Sequence, residues 1–379
     1  MKVLAFYLPQ YHQVPENDKW WGKGFTEWEN MKKAKPLIKD QYQPRVPLDN
    51  NYYDLSDTRV LEWQTKIAKE HGIYGFCVYH YWFGSQLLLE RPMELYLNDE
   101  KCDLPFCFSW ANETWTNAWA NDNEKDRKVL IRQEYGNIDE WERHFQYLLQ
   151  FFKDKRYIKE GNKPLFVIYR PQYIPNLNKR LEYYNKRAIE EGFDGIVYAG
   201  QHVSFYADNK VDKKQFTYQI EYQPGFAFYD MSSRIQKCVS KCKQNLQTWA
   251  RDHLKSFKSV KKAKLQLLNY DEVWDKVLER KPEKSLKAIP GAFVDWDNTP
   301  RYKEKGRVLL GSNPDKFEKY LKVQLDRAIN VYNSEYLFIF AWNEWSEGGH
   351  LEPDSKYGYG YLEAVKKALD EVIDKGEIS

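Results

Sequence analysis

Across 379 residues, 58 basic and 55 acidic side chains nearly cancel to a net charge of +3, so no strong field points to a nucleic-acid partner. No stretch approaches the roughly 20 apolar residues of a membrane helix, and the length suits one α/β barrel, a fold that commonly runs from about 200 to more than 400 residues. The five cysteines are odd in number, and Cys238 and Cys242 have no second Cys or His pair near them, so neither a disulfide framework nor a metal site is expected.

The first apolar run, Lys2–Tyr7, predicts a strand. It is too short for a signal peptide and leads into a polar, aromatic loop rather than a cleavage site, so a cytoplasmic location is expected. That loop carries Pro9-Gln10-Tyr11-His12 and Trp20-Trp21-Gly22-Lys23-Gly24-Phe25-Thr26-Glu27-Trp28; Gly22 and Gly24 lack the helix and the remaining residues of a nucleotide loop. A helix is expected over 57–70, ending near His71 and a capping glycine, Gly72. Strand two, over 75–80, runs into Tyr79-His80-Tyr81-Trp82-Phe83. After a helix at 91–98, strand three, over 105–109, leads to Trp110-Ala111-Asn112-Glu113-Thr114-Trp115. A helix at 138–153 and strand four at 164–169 end on Tyr169-Arg170-Pro171. A helix at 176–190 precedes strand five, over 195–200, which yields Gln201-His202, and strand six, over 217–222, which yields Glu221-Tyr222. The lysine-rich stretch 238–287 reads as an insertion between strands six and seven, with a helix at 271–278. Strand seven, over 291–295, passes into Trp296-Asp297-Asn298. A helix at 314–332, strand eight at 336–341 and a helix at 359–374 complete the chain.

Strands rich in Val, Ile, Phe and Tyr without clean alternation suit a parallel sheet buried on both faces. The eight-strand count, with no Gly-rich phosphate loop, favours a (β/α)8 TIM-type barrel over an open doubly wound sheet, as a single domain spanning 1–379.

The chemistry gathers just after the strands, where barrels build their sites. The chain holds 14 Trp, 29 Tyr and 20 Phe although its mean hydropathy is −0.79, so many rings are expected at half-wet surfaces. A flat apolar face with a polar edge suits a sugar ring. Trp28, Trp82, Trp110, Trp115, Trp296 and Trp345 are the expected stacking residues. Tyr7, Gln10, His12, Glu27, Tyr79, His80, Asn112, Tyr169, Arg170, Glu221, Asp295, Trp342 and Asn343 are expected to bind substrate around them. Asp295 and Asp297 alternate, so at most one is expected to point inward; His350 and Glu352 are expected to shape the last loop.

Glu344 and Glu347 carry the sharpest expectation. If the chain after strand eight turns helically, residues three apart share a face with Cβ atoms roughly 5–6 Å apart. Retaining glycoside cleavage uses two carboxyl groups about 5 to 5.5 Å apart. Desolvation by Trp342 and Trp345 and the neighbouring charge would keep one of the two protonated. The plainer alternative is a pair of solvated glutamates at a helix start. Glu113, between Trp110 and Trp115, is an equally credible acid on spacing alone, with Glu344 as nucleophile and Asn112 on a sugar hydroxyl.

These segments, together with Ile168-Tyr169-Arg170-Pro171, Ala341-Trp342-Asn343-Glu344-Trp345-Ser346-Glu347-Gly348 and Leu351-Glu352-Pro353-Asp354, resemble the WbsX-like proteins, which are related to glycoside hydrolase family 99. The resemblance spans essentially the whole chain. It implies the same barrel and a surface-polysaccharide setting, since WbsX-like members are often labelled glycosyltransferases of lipopolysaccharide O-antigen synthesis. It also implies that Glu344 takes the proton of the sugar's own 2-hydroxyl, through a 1,2-anhydro intermediate, and that Glu347 acts as acid and then base. Glu113 then becomes a binding residue. The expected activity is that of a retaining, endo-acting glycoside hydrolase or transglycosylase with an oligo- or polysaccharide substrate and no cofactor. A transferase using an activated sugar and a non-catalytic carbohydrate-binding barrel are the alternatives.

Overall fold

The computed structural model describes residues 1–84, 86–117, 128–201, 212–232, 264–283 and 285–377. His202, Cys238 and Cys242 lie outside them.

Nine parallel strands form a nearly closed barrel: β1 (Lys2–Tyr7), β2 (Gly75–Trp82), β3 (Phe106–Trp110), β4 (Lys163–Ile168), β5 (Val197–Gly200), β6 (Tyr218–Ile220), β7 (Lys287–Ile289), β8 (Gly291–Phe293) and β9 (Tyr336–Phe340). They pair in the order β7-β6-β5-β4-β3-β2-β1-β9-β8, with registers such as Tyr7 opposite Val78 and Cys77 opposite Cys107. The architecture is that of a (β/α)8 barrel, because β7 and β8 are one extended stretch broken at Pro290. Before the break, the Ile289 carbonyl accepts from Glu221 N of the sixth strand's end at 2.9 Å; at it, the Pro290 carbonyl accepts from Phe338 N at 3.1 Å. The strand thus changes partner where proline has no N–H to give. Gly291 is needed there, since a Cβ would lie 2.0 Å from the Glu221 carbonyl oxygen.

Helices follow most strands and cover the barrel's outer face: α1 (Thr58–Glu70), α2 (Arg91–Asn98), α3 (Ile138–Phe152), α4 (Leu177–Glu190), α5 (Tyr270–Glu279), α6 (Pro314–Asn330) and α7 (Gly360–Glu377). Side chains cap them: Asn137 accepts from the amides of Asp139 and Glu140, and Asn313 from that of Lys316, satisfying donors that a helix start leaves open. Strands and helices fall within a few residues of the ranges expected from sequence. Of the stretch expected as an insertion, residues 238–263 lie outside the described residues, whereas Gln266–Asn269 pairs in parallel with Arg307–Leu310 and α5 buries Val273, Trp274 and Val277 against the core.

Between barrel and helices lies a buried polar network. His80 Nε2 sits 2.9 Å from His144 Nε2 on α3, Trp82 Nε1 donates to Glu140, and Arg180 on α4 forks onto Glu140 at 3.0 Å. Inside the barrel, Phe6 packs on Tyr79 and Phe338, and Ser109 Oγ and Gln201 link to the Tyr79 hydroxyl at 2.8 Å per bond.

Candidate active site

Strand alternation decides which residues reach the barrel's open end. From β2, Tyr79 and Tyr81 face the cavity, while His80 and Trp82 turn outward into the network on α3; burial pushes the His80 imidazole down to about 3. The same rule turns Tyr7 outward to Gln64, at 2.8 Å, and leaves Leu8 on the cavity wall. After β6, Tyr222 lines the cavity, and Glu221 is buried between Arg280 and the Tyr332 hydroxyl, at 3.2 and 2.8 Å.

The loop after β9 is fixed by backbone clamps. Asn343 Oδ1 accepts from Leu8 N at 2.8 Å, and its Nδ2 donates to Leu8 O at 3.0 Å. Asn343–Glu344 pairs antiparallel with Gly349–His350, and Trp345–Glu347 closes the turn as a single 3-10 turn. Gly348 ends it at φ +73°, where a Cβ would lie 2.9 Å from both Asp297 N and the Arg45 guanidinium. The turn directs Glu344 and Glu347 to one cavity of about 550 Å³.

Arg301 meets both. Its guanidinium lies 3.3 Å from a Glu344 oxygen, 3.3 Å from Glu347 Oε1 and 3.2 Å from Glu27 Oε2. Burial pushes Glu344 up to about 8, with Arg301 opposing and the charges of Glu347 and Glu27 adding; burial also raises Glu347. In the same cavity Glu113 is ion-paired to Arg170, and Trp21, Phe25, Trp115, Tyr169 and Tyr302 supply rings around the space.

Of the residues expected from sequence, Gln10, Glu27, Tyr79, Glu113, Trp115, Tyr169, Arg170, Glu344 and Glu347 therefore share this cavity. The others do not reach it. Asn112, like Asn343, is used on backbone: it bonds Arg170 N and O, each at 2.8 Å, so neither amide is available to a sugar hydroxyl. Trp345 stacks on His350 and packs at a tilt on Trp28 in a buried cluster, with Trp28 Nε1 donating to Tyr53 O and Trp345 Nε1 to Glu352. Trp110 packs against Arg180, and Trp342 against Phe76. Trp296 sits against Phe228 and Phe340. Asp295 is ion-paired to Arg45 at 2.6 Å, and His12 is buried off the cavity wall. Both aspartates of the strand-seven end thus serve the scaffold, since Asp297 accepts from Gln41 and Gln43.

Arg301 and Tyr302 are among the cavity residues that the sequence did not flag. A lone arginine after Asn298-Thr299-Pro300 carries no motif, although Thr-Pro is a fair helix-start signal. Tyr81, Tyr222, Trp21 and Phe25 stood inside flagged segments and were legible only once strand alternation and loop path were known. Among the described residues no group of three or more His, Cys, Asp or Glu could hold a metal ion.

Residues 3–365 match the model of a family described as Glycosyltransferase WbsX. Two relatives, each called uncharacterized protein WxcX, from two strains of Xanthomonas campestris pv. campestris, are 32% identical over 377 and 381 residues, 98% of this chain and 50% of theirs. The chain therefore spans about half the length of these curated relatives. Among solved structures, a glycoside hydrolase family 99 endo-alpha-mannosidase from Bacteroides thetaiotaomicron, in complex with bis-tris-propane, superposes with TM-score 0.56 at 14% identity, covering 100% of this chain and 99% of its own. A glycoside hydrolase-like protein gives TM-score 0.53 at 14% identity over 97% and 93%. The likeness to these structures is one of fold.

Proposed function

The chain belongs to the WbsX glycosyltransferase family, and from that premise we propose that it is a glycan-processing enzyme: a retaining, endo-acting glycoside hydrolase or transglycosylase acting on a bacterial surface-type polysaccharide. The observation that carries this reading is the convergence of Glu344 and Glu347 on one aromatic-lined cavity.

Retaining cleavage needs an acid and a base together. Two buried carboxyls beside each other titrate as a unit rather than as separate groups, and burial raises both, so near neutral pH the pair is suited to hold one proton between two sites. In the proposed step the proton that the pair shares stands on Glu347 and Glu344 is ionised, so Glu344 takes the proton of the substrate's 2-hydroxyl, and that oxygen forms a bond to the anomeric carbon. The bond from this carbon to the departing glycosidic oxygen breaks as Glu347 protonates the latter. Glu347, now a base, then takes a proton from water or an acceptor hydroxyl, whose oxygen opens the 1,2-anhydro ring while Glu344 returns its proton to the 2-oxygen. Two inversions at one carbon give net retention. Water as acceptor makes a hydrolase, and a sugar hydroxyl a transglycosylase.

Incubation with mannans and O-antigen fragments, followed by proton NMR, tests this reading. Glu344→Gln and Glu347→Gln are each expected to lower kcat by about 10²- to 10⁴-fold, with glycan affinity retained in Glu347→Gln. The matched family's description favours one second reading, a transferase using an activated sugar. No cleavage of any glycan, together with thermal stabilisation by a sugar nucleotide, would replace the first reading with that one.

A further inference from the structure

The proton transfers above leave Arg301 without a part, yet its guanidinium touches both carboxylates of the pair and the third carboxylate, Glu27. Its aim is built into the backbone that carries the pair. Asp297 Oδ1 accepts from Thr299 N at 3.0 Å and from Thr299 Oγ1 at 2.6 Å, which starts the turn Thr299–Tyr302, while the Asp297 amide donates to the Glu347 carbonyl at 2.7 Å. Glu27 is tied to the same loop, because Ser346 Oγ donates to its Oε2 at 2.9 Å. Arginine fork, third carboxylate and catalytic turn are therefore interlocked.

Glu344 and Glu347, if both ionised, would outnumber the one guanidinium between them in a buried space, which favours keeping a proton on the pair. The phenols of Tyr11, Tyr81, Tyr222 and Tyr302 also face the pair, and burial raises each above its ordinary range, so they stay neutral. In the same cavity Glu113 and Arg170 bring one charge of each sign.

We propose that Arg301, steadied by Glu27, is the positioning residue of the Glu344–Glu347 pair, holding both carboxylates toward one substrate and fixing the number of protons they share. This rests on reading the pair as acid and base, but its test does not need turnover.

Carboxyl carbon-13 NMR titration of glutamate-labelled protein reads the pair directly. Arg301→Gln is expected to move its titration up by about 1 to 3 units, and Glu27→Gln to move it down. Arg301→Lys keeps the charge but not the fork and is expected to titrate near wild type. Absent shifts, or shifts of the same sign in Arg301→Gln and Glu27→Gln, overturn the proposal. Should Arg301→Gln not fold, a downward shift in Glu27→Gln beside a near-wild-type Arg301→Lys supports it, and no shift in Glu27→Gln overturns it. On any glycan that is cleaved, Arg301→Lys is expected to lose about 10²-fold in kcat with its pH optimum retained; a loss confined to KM overturns the positioning role. If no glycan is cleaved and a sugar nucleotide stabilises the protein while the opposed NMR shifts hold, the hydrolase reading fails and Arg301 keeps its assignment as the residue that holds the pair.

Discussion

Asn112 and Asn343 each precede a cavity glutamate, and each bonds both the N–H and the carbonyl of a residue at the neighbouring strand's end. The amide sits where the next strand's backbone leaves the barrel ladder, so the pair of bonds sets the height from which the following glutamate projects. Asn343→Ala would leave the Leu8 amide and carbonyl unpaired in the interior, at about 1–3 kcal/mol for each group. A lower urea midpoint is expected, together with a fall in kcat larger than any change in affinity; an affinity change at unaltered stability would instead mark Asn343 as a sugar ligand. The sequence made both asparagines look like such ligands because residue type was visible and direction was not. His80 and Trp82 misled in the same way. They share a strand with Tyr79 and Tyr81, and a one-residue offset separates a cavity wall from the layer behind it. Arg301 was hidden for another reason: its partners, Glu27, Glu344 and Glu347, are far away in the chain, and only the closed barrel brings them to it.

Elements were more legible than directions. Apolar runs bounded by Gly, Pro or Asn marked the barrel strands because a strand buried on both faces has no polar positions to blur its limits. The rim pieces, such as Leu87–Leu88 against the end of β2 and Trp115–Thr116 against Val129–Ile131, are too short to carry a period. Barrel closure was half legible. Gly291 stood out as a strand start, but Lys287–Ile289 lay behind a proline that reads as a breaker, and the switch of partner at Pro290 has no sequence signature. The close approach there makes a strong prediction. A Cβ at position 291 would be 2.0 Å from backbone oxygen rather than from a movable side chain, so β6 and β8 would have to separate. Gly291→Ala is expected to destabilise by about 3 kcal/mol, read as a lower urea midpoint; Ala292→Gly, one residue further along the same strand, controls for the general cost of altering it, and equal losses in the two would mean that close approach is not the cause.

At the scale of the whole molecule, charge is nearly balanced, so the pH dependence of stability falls to a few buried groups rather than to net repulsion. Burial pushes Glu352 up from the ordinary 4.5 to about 7, against the hydrogen bonds it accepts from Trp345, Tyr53 and Gln64, and pushes Glu344 up to about 8. Between these limits the folded chain binds protons at positions where the unfolded chain has lost them. The stabilisation is therefore complete below the ordinary carboxylate range and is lost as pH rises through about 7 and 8. Glu142 acts in the opposite sense: its hydrogen bonds with Arg187 hold it down to about 2, so its contribution is present above the ordinary range and is lost on acidification. The imidazoles of His80 and His144 act in that sense too, since burial holds them well below their ordinary 6.5, as do those of His12 and His350, so maximum stability is expected near neutral pH. One proton held by Glu352 over about two and a half pH units corresponds to roughly 3 kcal/mol, lost between pH 5 and pH 8. Glu352→Gln separates cause from coincidence. Its amide cannot accept from all three donors, so the variant is expected to be less stable throughout, but its loss in urea midpoint relative to wild type should be smaller at pH 8 than at pH 5, because the titrating group is gone. An equal loss at the two pH values would mean that Glu352 does not contribute to the pH dependence, leaving Glu344 and its partners in the cavity as the carboxylates that do.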